Sequence, residues 1–422
     1  MNLAEMLSYA DIAQLSGIAE VYQCECSSHS KNELIQSILS TVQRREVLAQ
    51  RVGEMSLGDL RFLNSLLFEK RASYSLEDLT ARAALAAEAR PAKSAETPEP
   101  KQIAAPKSRI GPPGSEAAKR PPAGSRKKGK PPEAPPSPAD ERRSAIARFK
   151  RYGWLFGGIT QQTRYLYHVP EDVKRRLCDA IEDRFREIVE HREEPPAYRD
   201  ERGLMAADLA QLLKFVRNHD TPLTSDGYLY KRQLQQMLGV CSVLEQPPAK
   251  SAFRFGYGRR FKEYPERFSL LYDFAFYTGL ILEDEGELRL TDKGREIADG
   301  KLASDPSELY RFWLKLYKQP VTNLQALAQW VMRLSRHAWV TVPSLEAALL
   351  PLVKPYYFDS EKNVFEQRML AMMLHLGLLR LGESRAGEAV VTMTPQGVVL
   401  VSGSEIGFEE TLPWSYGAVD SR

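Results

Sequence analysis

Residues 85 to 138 divide this chain of 422 residues into two parts, because they hold 13 of its 27 prolines and almost no large apolar side chains. Such a segment buries too little surface to offset the entropy lost on ordering. It predicts a disordered linker over residues 85–140 that favours extended polyproline conformations. The parts on either side have ordinary apolar content and are each expected to fold.

The linker also carries the positive charge of the chain. Residues 90 to 138 contain 11 Lys or Arg and 4 Glu, which leaves 47 basic and 51 acidic residues elsewhere. An electrostatic attraction for nucleic acid would therefore depend mainly on the linker, whose densest cluster is Arg126, Lys127, Lys128 and Lys130. Two interpretations stay open, a solubilising spacer and an electrostatic arm for nucleic acid or another acidic partner.

The sequence has no sign of export or membrane insertion. Its first residues are acidic rather than basic, and the longest apolar run, Met369 to Leu379, is 11 residues long, well short of the roughly 20 that span a membrane. The 4 cysteines are too few to hold a chain of this size together by disulfides. We therefore expect a cytoplasmic protein without a membrane partner.

Capping signals indicate helices before the linker. Apolar residues at helical spacing predict one near the N-terminus, and a capping box of Ser30 and Glu33 begins another after a short connector. Lys31, Leu34 and Ile35 resemble the Lys-x-x-Leu-Ile helix of the small fold shared by SAP motifs and the N-terminal domain of the Rho terminator. Units of that fold bind nucleic acid, which implies that Lys31 faces phosphate. A generic helical hairpin is the alternative.

Two further helix starts precede the linker. Ser56 and Ser75 each stand three residues before an Asp, which is typical of an N-cap. Leucines at helical spacing follow each of them. We therefore predict that residues 1–84 form a small helical domain.

An internal repeat is the main fold signal after the linker. Gly279 to Leu282, a polar turn, and Leu288 to Gly294 are typical of a helix end, a β-hairpin and the capped start of another helix. The same order recurs from Gly377 to Leu381 and from Val390 to Gly397. Two helices that lead into a hairpin are the winged-helix arrangement, in which the hairpin packs beside the third helix as a wing. The sequence predicts a mainly α protein with short β-hairpin wings in tandem winged-helix domains.

The first copy of the repeat also contains an apolar helix face, a polar turn from Pro222 to Gly227, and Lys231 and Arg232 at the start of the next helix. With these features it resembles the helicase-associated domain found beside XPB-like bacterial helicases, over residues 146 to 300. The resemblance implies nucleic-acid contact at Lys231 and Arg232 and a helicase or transcription-related protein as a partner. The predicted domains after the linker are residues 141–303 and 304–422.

Residue patterns for catalysis are missing from the sequence. A nucleotide-hydrolysing motor needs a glycine-rich phosphate loop with a Lys and a Ser or Thr, whereas Gly258 is followed by two arginines. Cys24, Cys26 and His29 supply three of the four ligands that a structural zinc site needs. The 6 histidines lack the paired spacing of a metal-binding helix. We therefore expect no catalytic activity, cofactor, metal or small-molecule substrate.

Residues 253 to 264 interleave aromatic rings with cations. Cations hold phosphates and rings stack on bases, so this composition suits single-stranded or distorted nucleic acid. The alternative is that the rings dock the loop on the core while the arginines face water. A weaker patch of the same kind lies from Arg148 to Trp154. The candidate contacts of the first patch are Arg254, Tyr257, Arg259, Arg260 and Lys262.

The helices before the two predicted wings differ from groove-reading helices. Residues 265–278 offer Arg267 beside acidic side chains, and residues 363–376 offer Arg368 among mostly apolar ones. We predict that both are packing helices. The sequence as a whole predicts a non-catalytic, nucleic-acid-associated accessory protein that acts on DNA or in transcription. A tandem winged-helix scaffold that binds proteins is the alternative.

Overall fold

A computed structural model describes residues 1–25, 30–69, 71–87, 138–248, 257–302 and 305–404, and Leu412; of residues 138–142 it describes the backbone. Over these residues the chain is mainly helical with small antiparallel sheets, as predicted. None of the described helices is long and apolar enough to cross a membrane. The predicted linker lies outside the described residues except at its two ends.

Four helices begin the chain. They are α1 (Leu3–Tyr9), α2 (Ile12–Val21), α3 (Lys31–Val42) and α4 (Arg45–Gly53). The predicted cap at Ser30 is confirmed, because its side chain accepts a hydrogen bond from the Glu33 amide where α3 begins. The helix before it is also present, whereas residues 26–29 of the connector lie outside the described part of the chain. The caps predicted at Ser56 and Ser75 are confirmed as well.

After α4 the chain repeats one order of elements three times: a helix, a strand, two helices, two strands and a closing helix. The first unit comprises α5 (Leu57–Leu67), β1 (Tyr74–Ser75), α6 (Leu76–Ala86), α7 (Pro138–Arg151), β2 (Phe156–Gly157), β3 (Leu166–His168) and α8 (Glu171–Arg186). Two short strands follow it, β4 (His191–Arg192) and β5 (Tyr198–Asp200).

The second unit comprises α9 (Leu204–Asn218), α10 (Lys231–Val240), α11 (Glu266–Tyr277), β6 (Ile281–Asp284), β7 (Glu287–Leu290) and α12 (Asp292–Ala298), with residues 221–223 in the place of the first strand. A separate helix, α13 (Pro306–Tyr317), leads to the third unit. That unit comprises α14 (Leu324–Ser335), β8 (Trp339–Thr341), α15 (Val342–Leu349), a 3₁₀ turn (Leu350–Leu352), α16 (Glu361–Asn363), a π-helical segment (Val364–Leu370), α17 (Ala371–His375), β9 (Leu379–Glu383), β10 (Ala389–Met393) and α18 (Pro395–Gly403). The segments from α16 to α17 run on as one helix, the third helix of this unit.

Strand pairing is the same in each unit. β3 lies between β1 and β2, and β10 lies between β8 and β9. In the second unit β7 pairs with β6, and the Leu288 amide donates to the Thr221 carbonyl at 2.8 Å. The first strand therefore pairs with the third in every unit. The sequence predicted the hairpin repeat in the second and third units, and the structure adds the first.

The predicted linker interrupts the first unit between its second and third helices. α6 ends at Ala86 and α7 begins at Pro138, yet the two helices pack together. Tyr74 of β1 pairs with Tyr167 of β3, so one sheet contains residues from both sides of the linker. The domain boundary predicted at residue 84 therefore falls inside one unit of the fold.

One core runs through the described chain, from Leu3 to Val401. α4 packs along α8, which joins the N-terminal helices to the first unit. The indole nitrogen of Trp330 on α14 donates to the side-chain oxygen of Asn64 on α5 at 2.6 Å, which joins the first unit to the third. Both groups are buried, so this bond positions the units instead of exchanging with water.

A threonine joins the hairpin to the closing helix in the second and third units. The Thr291 hydroxyl donates to the Gly279 carbonyl at 2.6 Å while it caps α12. The Thr394 hydroxyl donates to the Gly377 carbonyl at 2.8 Å while it caps α18. Gly279 and Gly377 both have a positive φ, of 67° and 70°, which favours glycine. The sequence repeat thus reflects one local geometry.

Each of these closing helices touches the start of its own hairpin. A Cβ atom on Gly294 would lie 2.0 Å from the carbonyl oxygen of Leu280, and one on Gly397 would lie 2.0 Å from that of Leu378. A real Cβ cannot approach a backbone oxygen so closely. Glycine is therefore required at this position of both units.

We predict that Gly397→Ala lowers the free energy of unfolding by about 2 kcal/mol or more, because the closing helix must move away from Leu378. Gly239→Ala is the matched control, since nothing lies within 4 Å of a Cβ built there inside α10. That control should be neutral or stabilising by up to about 1 kcal/mol. Urea unfolding of both variants measures the difference, and equal stabilities would contradict the packing described.

We also predict that residues 1–87 and 138–422, produced together as separate chains, associate and copurify, because the first unit is complete only with both. The ring of Phe149 on α7 lies 4.9 Å from that of Phe62 on α5, across the interruption. Phe149→Ala should cost about 3–5 kcal/mol and weaken the association. Arg143→Ala, an exposed change on the same helix, should not. Folded fragments that purify separately would show that the units do not depend on each other.

Candidate nucleic-acid interface

The loop predicted to bind nucleic acid is built into the core where the structure describes it. Tyr257 is only 6% exposed, and its ring centroid lies 4.7 Å from that of Tyr317. The guanidinium of Arg368 lies 5.1 Å from the centroid of the Tyr257 ring. The prediction that the Tyr257 ring stacks on a base is therefore wrong, because other side chains surround this ring. Arg254 lies outside the described residues.

Arg259 and Arg260 are paired within the protein. Both guanidinium groups contact the Glu283 carboxylate on β6, Arg260 at 2.6 Å and Arg259 at 3.2 Å. Arg259 also lies 3.7 Å from the centroid of the Phe276 ring, and the largely buried Arg260 donates to the Asp226 carbonyl at 2.9 Å. The two guanidinium groups share the single carboxylate of Glu283, so it compensates their charge only in part. Burial disfavours phosphate contact by Arg260, and phosphate contact by the partly exposed Arg259 stays a prediction. The loop docks on the core, as in the alternative interpretation, with its arginines paired.

Two carboxylates under this loop have opposite pKa shifts. Burial raises the pKa of Asp273 to about 7, although the Arg259 amide donates to it at 2.9 Å. Burial acts in the same direction on Glu283, but the hydrogen bond from Arg260 and the positive charge of both arginines hold its pKa below the ordinary value. The loop is thus anchored on one charged and one readily protonated carboxylate.

The remaining predicted contacts do not all lie on one element. Lys231 and Arg232 are consecutive and exposed at the start of α10, and Lys262 is exposed near the end of the loop. The Lys31 ammonium donates to the Ser8 carbonyl at 2.8 Å. Nucleic-acid contact by these four side chains stays a prediction. The cluster Arg126, Lys127, Lys128 and Lys130 lies outside the described residues.

The third helix of the second unit is covered. Every residue of α11 from Arg267 to Phe276 is buried. α13 supplies part of the cover, with the ring of Phe312 5.4 Å from that of Phe274. The predicted packing role of this helix is confirmed.

The third helix of the third unit is covered in a similar way. Its Arg368 is buried and pairs with Glu266 at the start of α11 and with Asp359. The apolar residues around Arg368 are buried as well. The predicted packing role is confirmed here too, and the arginine that a DNA-reading helix would expose is used between units.

The hairpins of these two units offer little to a polyanion. The tip of the β6–β7 hairpin groups Asp284, Glu285 and Glu287 around the single cation Arg289. In the third unit β5 pairs along β9, which covers the edge of that hairpin. Negative charge in one case and a neighbouring strand in the other disfavour phosphate contact.

The third helix of the first unit, α7, is different because one of its faces is open. Arg143, Ser144, Ala147, Lys150 and Arg151 are exposed and follow one another at helical spacing. The opposite face, with Ala145, Ile146 and Phe149, is buried. α7 therefore presents a stripe with three cations to solvent. We call it the α7 face.

The cations of the α7 face are weakly held. The Lys150 ammonium lies 5.4 Å from the centroid of the Tyr167 ring, and Arg151 lies 3.8 Å from an exposed Glu20 carboxylate. Exposed pairs of this kind contribute little, so an anion can compete for them. The neighbouring Arg148 is bound to both Asp59 oxygens, at 2.6 and 3.1 Å, and instead fastens α7 to α5.

A polar hairpin without acids lies beside this helix. Between β2 and β3 the side chains of Gln161, Gln162, Arg164 and Tyr165 are exposed, and residues 152–170 contain no Asp or Glu. The Arg164 guanidinium lies 4.5 Å from the centroid of the Tyr165 ring. Amide, guanidinium and aromatic groups at a hairpin tip can bind phosphate, base edges and base faces.

Sequence reasoning identified only part of this site, as the weaker patch from Arg148 to Trp154. The signal that it missed is local. Gly153 has a φ of 66°, and the Trp154 amide donates to the Phe149 carbonyl, as Leu280 and Leu378 do to the equivalent residues of their units. The glycine that ends the third helix therefore marks all three units.

The described residues include no group of three or more His, Cys, Asp or Glu side chains that could hold a metal ion. Of the possible zinc ligands, Cys24 has its sulfur 3.6 Å from the Thr41 hydroxyl. Cys26 and His29 are outside the described part of the chain.

Comparison with protein-family models, with curated proteins and with solved structures gave no match to this chain.

We predict that Asp273→Asn flattens the pH dependence of stability. A carboxyl whose pKa is raised to about 7 by folding stabilises the protein fully below its unfolded value and loses that contribution as the pH rises through 7. Between pH 6 and 8 the wild type should lose about 1.4 kcal/mol that the variant does not lose. Urea unfolding at both pH values measures this difference. Parallel curves would show that Asp273 stays ionised across the range.

Proposed function

We propose that this chain is a non-catalytic, nucleic-acid-associated accessory protein built from winged-helix units, and that it binds nucleic acid through the α7 face and the β2–β3 hairpin. The order of elements in each unit supports the first part, since the first strand pairs with the third and the hairpin follows the third helix. The second part depends on the face that α7 leaves open.

The exposure of α7 is the observation that carries the proposal. Among the three third helices that the structure describes, α11 is covered on all sides and the third helix of the third unit buries its arginine. α7 alone of the three presents several exposed cations along one face. Lys and Arg in such a row contact phosphates in succession and give salt-dependent binding that is independent of sequence.

The sequence strengthens the same face. The residues before α7, from Arg90 to Pro138, carry 11 Lys or Arg against 4 Glu. Because they run directly into α7, their charge is tethered to the helix that presents Arg143, Lys150 and Arg151. The partners that fit are nucleic acid and, through it, a DNA-processing or transcription complex.

A protein-binding scaffold is the second candidate, and one observation favours it. Tyr230, Val240 and Leu244 near the two ends of α10 are apolar and exposed, with Leu244 at 78%. Exposed apolar groups of this size are typical of protein contacts. The covered third helices of the second and third units also suit an architectural role.

We predict that Arg143→Glu, Lys150→Glu and Arg151→Glu together weaken binding to a short duplex by about tenfold or more at low salt. The slope of log affinity against log salt should fall by about 2 to 3, at 0.7 to 0.9 for each phosphate contact. Fluorescence anisotropy with single-stranded, duplex and forked DNA and RNA at several salt concentrations measures both quantities.

The matched control reverses three exposed cations of the second unit, Lys293, Arg295 and Lys301. It changes the net charge equally but leaves the α7 face intact, so its salt slope should stay near that of the wild type. Equal losses in both variants would mean that only total charge matters. If the wild type binds none of these nucleic acids at low salt, the scaffold becomes the better proposal.

A further inference from the structure

A groove between the N-terminal helices and the first and third units concentrates arginine side chains. It lies where α4, α8 and the end of α14 meet, and its volume is about 440 Å³. The arginines that line it are Arg45, Arg176, Arg186, Arg333 and Arg336. None of them belongs to the α7 face. We call this the arginine groove.

Carboxylates on α8 hold three of these arginines in place. Glu182 contacts Arg186 through one oxygen, at 2.6 Å, and Arg333 through the other. Asp183 contacts Arg45 from the facing helix α4. Glu182 and Asp183 both line the groove from α8, and they hold guanidinium groups from α4, α8 and α14 around one space.

The acids do not balance the cations. The groove has five arginines against three carboxylates, those of Asp179, Glu182 and Asp183, which leaves two positive charges uncompensated among the lining residues. Like charges at close quarters repel, and water around the exposed Arg45, Arg186 and Arg336 weakens this repulsion without removing it. A bound anion with about two negative charges would relieve it.

Arg176 and Arg336 carry that excess. Arg176 is oriented by a hydrogen bond of 2.9 Å from one guanidinium nitrogen to the Gln43 carbonyl. Arg336 is the C-cap residue of α14, and among the described residues its side chain makes no hydrogen bond or ion pair. Neither arginine is paired with a carboxylate, so the guanidinium groups on α8 and at the end of α14 can both take a ligand in the groove.

We propose that the arginine groove is an anion site for a phosphate group, separate from the α7 face. Guanidinium binds phosphate through two parallel hydrogen bonds, which a point charge cannot reproduce. A phosphate monoester carries a charge of about −1.5 to −2, which matches the excess of the groove. The phosphate belongs to a nucleic-acid strand or to a free phosphorylated compound.

The test uses the full chain and inorganic tripolyphosphate, a probe that carries the phosphate chemistry alone. Calorimetry should show saturable binding to the wild type and equal binding to the variant that combines Arg143→Glu, Lys150→Glu and Arg151→Glu. Arg176→Gln with Arg336→Gln should weaken this binding by about tenfold or more, because the groove loses its uncompensated charges. The matched control is Arg295→Gln with Arg385→Gln, two exposed arginines outside the groove and outside the proposed interface, which should keep wild-type affinity.

Arg336→Gln alone tests whether misfolding explains a loss of affinity. This side chain has no partner among the described residues, so its replacement should reduce affinity without changing the melting temperature. Equal affinity of the groove variant and its control, or no binding to the wild type, would overturn the proposal and leave the arginines as an ion-pair fastening between helices. Displacement of tripolyphosphate by an oligonucleotide without a terminal phosphate would identify a phosphate of the nucleic-acid backbone as the natural ligand. Failure to displace it identifies a free phosphorylated compound.

Discussion

A buried ion pair between Arg267 and Asp208 joins α11 to α9 inside the second unit. Both residues are at most 1% exposed, and the equally buried Glu201 lies 3.8 Å from Arg267 and also contacts Arg199 and, at 2.9 Å, His375 of the third unit. Removing one partner of such a pair would leave an uncompensated charge in the core, at about 3–5 kcal/mol. Glu201 connects this pair to His375 at the end of the third helix of the third unit, so α11 and that helix are used for packing between the two units.

The consequence is a division of roles among three similar units. In the second unit α13 and the loop around Tyr257 occupy the space beside α11, and in the third unit Arg368 is taken up by acids from its neighbours. In the first unit, Arg148 of α7 pairs with Asp59 of α5 and holds the two helices together. The outer side of α7 is thus free to carry cations, and similar folds serve as architecture in two places and as a candidate interface in one.

Local patterns in the sequence predicted the helices and the caps at Ser30, Ser56 and Ser75, because these depend on residues three or four positions apart. The repeat of the second and third hairpins was predictable for the same reason, as each is closed by its own threonine and glycine. The first unit was missed because about 50 residues separate α6 from α7. Nothing in the composition shows that the strands on either side of this gap pair in one sheet. The sequence left two interpretations of the loop at Tyr257 open because residue type does not reveal partners: Glu283 and Tyr317, which hold it, lie 23 to 60 residues further on.

Outside the linker, the positions of the cations matter more for anion binding than the net charge does. The linker holds the excess of basic residues, so the remaining parts are mildly acidic and most of their arginines are already paired. A polyanion that approaches such a molecule is repelled by the acidic tip of the β6–β7 hairpin and attracted where cations are not matched by acids. The α7 face and the arginine groove are two such places in the described chain, and they differ in shape. An open helix face has room for an extended ligand, whereas the groove bordered by α4, α8 and the end of α14 has room for a single compact group. Under the two proposals, the same cationic chemistry would bind two different ligands because the two surfaces differ in shape.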